Sequence, residues 1–480
     1  MSQSLKPPRT VTLAVFIGLV AIAAIAVIAF SRLTSNSGVY HPPPPDAPGP
    51  ALVFPQPSPS SGLPERKSVT KLTSAEKSAF VTAVNTLQTT YPDNSSLSLY
   101  EQFVVRHILT MGFRQSLGAT GPARGNPAHS YPAFLPWHRQ FLLDFEQALQ
   151  AVAPSVTIPY WDWTDPDALN VILQDDFLGP TGEGTTVEVL GKGSFEGGEV
   201  NKSLFSTWQL NEDIHFDAIT LESLGPHLLR FVGIPPFDNY PLSQSEIDTL
   251  LQTDNYEVFN ALIEGALVPD AENKQQDYKL GWALHAFTHS VIGGSQVDWD
   301  DWNKGIAHQL DILGTMDSVP SSPYDPIFWL HHANVDRLWA QWQDQGHSGS
   351  TFYPASDKPF GHNLTDPMWP WDGGLSAPGN YGPPNRDLRE FYIAPAVDKV
   401  VSAEDVLNFR QLGYTYTGLD DVALERSSGQ DQAYVSDVDP LVAQVVEVQR
   451  RSEWVSKRSA SQPNASKPDT SQASYLRAKL

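Results

Sequence analysis

A mainly α-helical domain with long irregular loops and few strands is what this sequence predicts, and three stretches carry that reading. Asp325-Pro326 precedes Leu330, Val335, Leu338 and Trp342, which recur at roughly helical spacing. A proline suits such a start, because its missing N–H has no partner in a first turn. His138, Phe141, Leu142 and Phe145 share one helical face just after Pro136. Thr73-Ser-Ala-Glu76 has the pattern of a capping box, ahead of an apolar face of Phe80, Val81, Val84 and Leu87.

Taken in order, the remaining elements fit between these. Phe103-Val-Val-Arg-His107-Ile-Leu is apolar and helical, and a Gly-rich loop (112–126) follows it. Pro159-Tyr-Trp-Asp-Trp163 reads as a buried aromatic connector. Residues 165–255 are rich in Gly, Pro and Asp and show no clear period. Tyr256, Phe259, Leu262 and Ile263 predict a helix over 256–266. Trp282-Ala-Leu-His285-Ala-Phe-Thr-His289 places two histidines one turn apart on one helical face. Residues 353–386 are again Pro- and Gly-rich, a short helical segment is expected near 402–411, and residues 421–480 form a polar tail expected to be disordered.

Composition narrows the function. Across 480 residues the net charge is -23, which argues against nucleic acid as a partner. There is no cysteine, so disulfides, thiolate metal sites and cysteine nucleophiles are excluded. A metal would have to sit on His, Asp or Glu. Residues 1–10 read as a short cytoplasmic N-terminus, and 11–30 are uncharged and long enough to span a bilayer. That length favours an uncleaved membrane anchor over a signal peptide. Lys6 and Arg9 before it, against Arg32 after it, place the body of the chain in the lumen or outside the cell. Residues 31–66 are a Pro-rich linker, and 67–420 form the folded domain. Sequons at Asn94, Asn201, Asn363 and Asn464 all follow the anchor, and as a set they agree with that side.

Six of the thirteen histidines stand out: His107, His129 and His138 in one half of the domain, and His285, His289 and His332 in the other. His285 and His289 at i and i+4 can grip one ion, with a third His from a neighbouring helix. Imidazole suits copper, zinc, iron and nickel. Two three-His sites without Cys favour copper over a zinc hydrolase, and Ala286 stands where a zinc-protease glutamate would be. Asp336, four residues after His332, is placed to orient that imidazole or to pair near Arg337.

Long motifs here resemble those of the tyrosinase family. His129-Ser-Tyr-Pro-Ala-Phe-Leu-Pro-Trp-His138-Arg and Asp325-Pro-Ile-Phe-Trp-Leu-His-His332-Ala-Asn-Val-Asp-Arg look like its two copper signatures. His285-x3-His289, Pro159-Tyr-Trp-Asp-Trp163 and Tyr414-Thr-Tyr416 match too, in the right order, over residues 70–417. The resemblance implies a central four-helix bundle holding a dicopper site. It assigns His107, His129 and His138 to one copper and His285, His289 and His332 to the other, with His331 a supporting neighbour. It also implies oxidation of phenols or catechols to ortho-quinones with O2.

This chain departs from the family in three places. Pro127 stands where many fungal members have a thioether-forming Cys. Ala286 replaces an Asn that, with a nearby Glu, holds the water deprotonating a phenol. Glu264-Gly265 resembles the family's Glu-Gly, but some twenty residues intervene, so catechol oxidation is the safer expectation. Residues 421–480 are too short and polar for the family's C-terminal lid. Ala286 and Ser290 are the substrate-pocket candidates. A phenolic small molecule or a Tyr-containing peptide is the expected substrate, as in the anchored fungal members that tailor natural products. Pigment formation is the competing role, and a hemocyanin-like O2 carrier is the alternative from another class.

Overall fold

In a computed structural model, residues 63–419 are described, apart from 93–94, 114–116, 266, 270–277, 281 and 306–307. The anchor, most of the linker, the tail, Asn94 and Asn464 lie outside the described residues. Among the described residues no helix is long and apolar enough to cross a membrane.

The fold is mainly α. The helices that position the site are α1 (Ser74–Thr89), α2 (Leu99–Thr110), α3 (Phe134–Val152), α4 (Tyr256–Glu264), α5 (Leu284–Gly293) and α6 (Ile327–Trp342). The capping box at Thr73 and Glu76 forms as its pattern predicts, and Ser98 and Glu101 make a second one at the start of α2. Both satisfy orphan N–H groups that a helix start leaves unpaired. At α6 the helix begins at Ile327, and Asp325 accepts its N–H at 3.0 Å. Asp325 is in turn held by both Nε and Nη2 of the buried Arg230, at 2.6 and 2.8 Å.

Aromatic rings lock α2, α3 and α6 together. Phe145 stacks on Trp329 with centroids 3.6 Å apart and planes 7° apart. Phe103 meets Phe145 edge-on at 5.2 Å and Trp329 at 5.8 Å. The Trp329 indole donates to the Tyr100 hydroxyl at 3.0 Å, so a buried polar handle is also satisfied.

Strands are short and peripheral. The 165–255 stretch without a clear period contains an antiparallel sheet of Glu183–Val189, Gly193–Glu199 and Leu229–Arg230. Its hairpin is largely exposed and lacks the apolar alternation that marks a strand. Near 402–411 only a 3-10 turn, Glu404–Val406, is present. Of the two described sequons, Asn201 is exposed and its amide nitrogen donates to Glu183 Oε2 at 2.9 Å, and the Asn363 amide nitrogen donates to Lys358 O and Asp366 Oδ2.

A short parallel pair closes the domain: β1 (Glu65–Arg66) runs beside β2 (Thr415–Tyr416). Arg66, expected in the linker, is fully buried beneath it. Its guanidinium pairs with Glu146 and with Asp336 Oδ2 at 3.2 Å. Asp336 also accepts from Arg139 Nε at 2.5 Å and from the hydroxyls of Tyr414 and Tyr416, both at 2.6 Å. Sequence reading placed Asp336 against His332 or Arg337, but its carboxylate is wholly engaged by this cluster. Burial alone would raise its pKa. Arg139 and Arg66, with the two hydroxyls, outweigh that and hold it below the ordinary value.

Removing one partner from such a cluster strands the others. Asp336→Ala is therefore expected to lower the urea unfolding free energy by about 3–5 kcal/mol. Tyr416→Phe, which removes one hydroxyl, should cost about 1 kcal/mol. Equal losses in the two variants would rule out Asp336 as the hub.

His215 and His362 are also buried, and burial lowers each pKa from the ordinary value to about 4. Both fold neutral, so their contribution is complete above about pH 6.5 and is lost as the pH falls towards 4, by up to about 3 kcal/mol each. For the metal-free protein, the unfolding free energy of His362→Gln should decline less steeply than wild type over that window. Parallel curves would refute the assignment.

Candidate metal centre

Two histidine clusters face each other inside the helices. His107 comes from α2, His138 from α3, and His129 from the loop before α3. Their facing nitrogens lie within 4.8 Å of one another. The second cluster joins His285 and His289 of α5 to His331 and His332 of α6, within the same distance. The His138 and His332 rings stack across the gap with centroids 4.3 Å apart, so the clusters adjoin. A third group, Asp298, Asp301 and His308, lies apart from them. Asp298 there caps the Asp301 N–H, and His308 pairs with Asp301 at 2.9 Å.

Main-chain carbonyls fix where the protons sit. Nδ1 of His107 faces Pro320 O at 3.0 Å, and that of His138 faces Phe134 O at 2.9 Å. Nδ1 of His285 faces Glu264 O at 3.1 Å, and that of His289 faces Met316 O at 2.8 Å. A carbonyl can only accept, so each Nδ1 carries the proton and each Nε2 presents a lone pair. Nε2 of His107 and of His138 is buried without a hydrogen-bond partner. Nε2 of His285 lies 3.1 Å from that of His289. With both protons already on Nδ1, that contact sets two acceptors face to face. The spacing is close to a ligand–ligand edge around an ion with bonds of about 2 Å.

Burial also keeps the rings neutral. It lowers the pKa of His107 to about 3 and that of His289 to about 4. His129, His138, His285 and His332 are pushed well below the ordinary value, first by burial and then by neighbouring imidazoles.

His331 differs. The Trp163 indole donates to its Nδ1 at 3.1 Å. An indole N–H can only donate, so the His331 proton sits on Nε2, making that atom a donor. Its ring stacks on His285 at 4.9 Å. This gives the second tryptophan of the 159–163 connector a definite task.

A tyrosinase-family profile, "Common central domain of tyrosinase", matches residues 97–345, a span that takes in all seven of these histidines. The chain belongs to the tyrosinase family. It is 32% identical over 314 residues to a tyrosinase of Streptomyces glaucescens, covering 64% of this chain and 92% of that one. To the tyrosinase of Streptomyces galbus it is 33% identical over 314 residues, with the same coverage. A polyphenol oxidase variant from Thermothelomyces thermophila aligns at TM-score 0.46 and 22% identity, over 74% of this chain and 88% of that one.

As a tyrosinase-like oxidoreductase the protein is a dicopper enzyme, and the donor set fits that pair: neutral imidazoles, no thiolate, and buried lone pairs with no partner in the protein. The twenty-residue gap after Glu264 also resolves. A hairpin of Leu267–Pro269 and Tyr278–Leu280 takes up part of the insertion and returns the chain to its start. Glu264 therefore sits against His285, and a Cβ on Gly265 would lie 2.9 Å from that of Ala286. Gly265 has φ +96°, and a side chain there would meet Ala283 O at 2.1 Å, so the Glu-Gly step requires glycine. Spacing alone hid this glutamate, although its dipeptide signal was visible. Burial raises the Glu264 carboxyl pKa to about 8. Ser290, expected at the substrate pocket, is fully buried, and its hydroxyl donates to Asp317 Oδ1 at 2.5 Å. Ala286 is buried beside Gly265.

Loss of any locked imidazole should cost an ion. His107→Ala and His289→Ala are each expected to reduce bound copper from about two to about one per chain or less, by elemental analysis after dialysis. Two retained coppers in either variant would remove that residue from the ligand set.

Proposed function

We propose that this protein oxidises catechols to ortho-quinones with O2, holding one copper on His107, His129 and His138 and the other on His285, His289 and His332. The observation that carries this reading is the convergence of Nε2 lone pairs whose tautomers are set by four main-chain carbonyls. Bound there, the copper pair would pass two electrons from each diphenol to O2, with two diphenols reducing one O2 to two waters. The protein supplies the aim and the exclusion of water. Phe134 lies edge-on to His138 at 4.9 Å and to His285 at 5.1 Å, so the wall between the two half-sites is apolar. His331, held by Trp163 as a donor, stays out of the ligand set.

Diphenol oxidation is favoured over phenol hydroxylation by two side chains. Ala286 offers no amide to hold a water, and a Glu264 carboxyl oxygen is engaged by the Ser130 N–H at 2.7 Å. The substrate we infer is a small phenolic or a Tyr-derived group on a peptide, as expected of a tailoring oxidase in a secondary-metabolite pathway. The uncharged run at 11–30 supports a chain tethered to a membrane, with its domain on the lumenal or outer side.

Oxygen uptake by the copper-loaded protein tests this directly. Rapid uptake is expected with 4-methylcatechol, and uptake at least about tenfold slower with tyramine, consistent with one lost catalytic proton transfer. Ala286→Asn should raise the tyramine rate relative to the catechol rate. Equal uptake with both substrates in wild type would overturn the diphenol preference, and none with either would overturn the oxidase reading.

A further inference from the structure

Glu264 touches both halves of the histidine centre through two different groups. Its carboxyl Oε1 accepts the main-chain N–H of Ser130 at 2.7 Å, one residue after His129. Its carbonyl accepts the His285 Nδ1 proton at 3.1 Å. The residue is 5% exposed, so both bonds are sheltered from water.

What the carboxyl grips is strained. Ser130 has φ +67°, a left-handed conformation that a residue bearing a side chain adopts only when its surroundings impose it. The Ser130 hydroxyl is itself buried without a hydrogen-bond partner, so its side chain does not supply that constraint. The imidazole next to it most needs external control. His129 lies outside the helices, and its Nδ1 has no hydrogen-bond partner. His332 also lacks one, but it sits inside the 16-residue helix α6. Two side-chain clamps act on the residues that flank His129 directly, Asn126 Oδ1 on the Ala128 N–H and Glu264 on the Ser130 N–H; further along, Asn260 and Tyr256 donate to the carbonyls of Tyr131 and Pro132.

We propose that Glu264 is the positioning residue for His129: its carboxyl holds Ser130 in the left-handed conformation that aims this imidazole, while its carbonyl aims His285, so one residue sets both copper half-sites in register. The inference rests on the ligand assignment above, and it differs from a role in moving substrate protons. A glutamine side chain keeps the acceptor oxygen and the shape, so Glu264→Gln preserves the grip. Alanine removes it and leaves a buried N–H unpaired. The His285 contact comes from the main chain and survives either change.

Copper content and spin state read this out without any substrate. Wild type and Glu264→Gln are expected to bind about two coppers and to give, when oxidised, the weak paramagnetic signal of a coupled pair. Glu264→Ala should hold about one copper and give the strong signal of an isolated ion. Ser130→Gly relieves the strain, because glycine takes positive φ freely. Adding it to Glu264→Ala should therefore restore part of the second copper. This double variant keeps the test valid even if the alanine variant alone folds poorly. A coupled pair in Glu264→Ala would overturn the inference, as would glutamine losing as much copper as alanine, or no gain from Ser130→Gly. Failure of wild type to take up two coppers would instead overturn the ligand assignment beneath it.

Discussion

A main-chain carbonyl opposite an imidazole Nδ1 is the contact on which this centre depends. It occurs four times, at Pro320, Phe134, Glu264 and Met316, and each time it assigns the proton and orients the ring. Because the acceptors belong to the backbone, the aim of these imidazoles is a property of the fold. Phe134 O is one turn before His138 on the same helix, so that lock is local. The other three join segments distant in sequence and form only when α2, α4, α5 and the 3-10 turns at 315–324 are packed. Burial acts in the same direction, since a dry interior keeps the imidazoles neutral. His331 shows the converse: an indole donor in place of a carbonyl acceptor reverses the tautomer.

The helices were legible because each writes its period and its caps into a short window. Thr73 to Glu76, the His138 face and the 326–342 run all folded close to the bounds read from them. Ligand candidates were legible for the same reason, as histidines at fixed offsets inside long motifs. What escaped was decided by distant partners. Asp336 has its position in the chain near His332, yet Arg66 and two tyrosines some eighty residues further on claim its carboxylate. Glu264 resembles the family's glutamate in type but not in spacing, because nothing in a linear reading shows that 267–269 pairs with 278–280. Ser290 looked like a pocket residue beside His289, and only the packed structure reveals Asp317 waiting for its hydroxyl.

The Asp336 cluster and the histidine centre occupy the same two helices. Asp336 and His332 are one turn apart on α6, and Arg139 follows His138 on α3. The ion pair between Arg139 and Asp336 therefore clamps the helices whose next residues stack across the gap between the half-sites. Charge pairing fixes the spacing at one level of the helix pair, and ring stacking fixes it one turn away along α6.

The pairing of β1 with β2 makes the domain almost a closed loop. Residues 65 and 415 lie opposite each other across the two strands, although 350 positions separate them, and the Thr415 and Thr417 N–H groups donate to the carbonyls of Pro64 and Arg66. At about 3.3 Å per residue, a few added residues could carry the chain from the end of one two-residue strand back to the start of the other. New ends could then be opened at an exposed turn, such as the one at Leu190, away from the helices that carry the histidine clusters. In topological terms, residues 65–416 form a ring whose two ends meet beside Arg66.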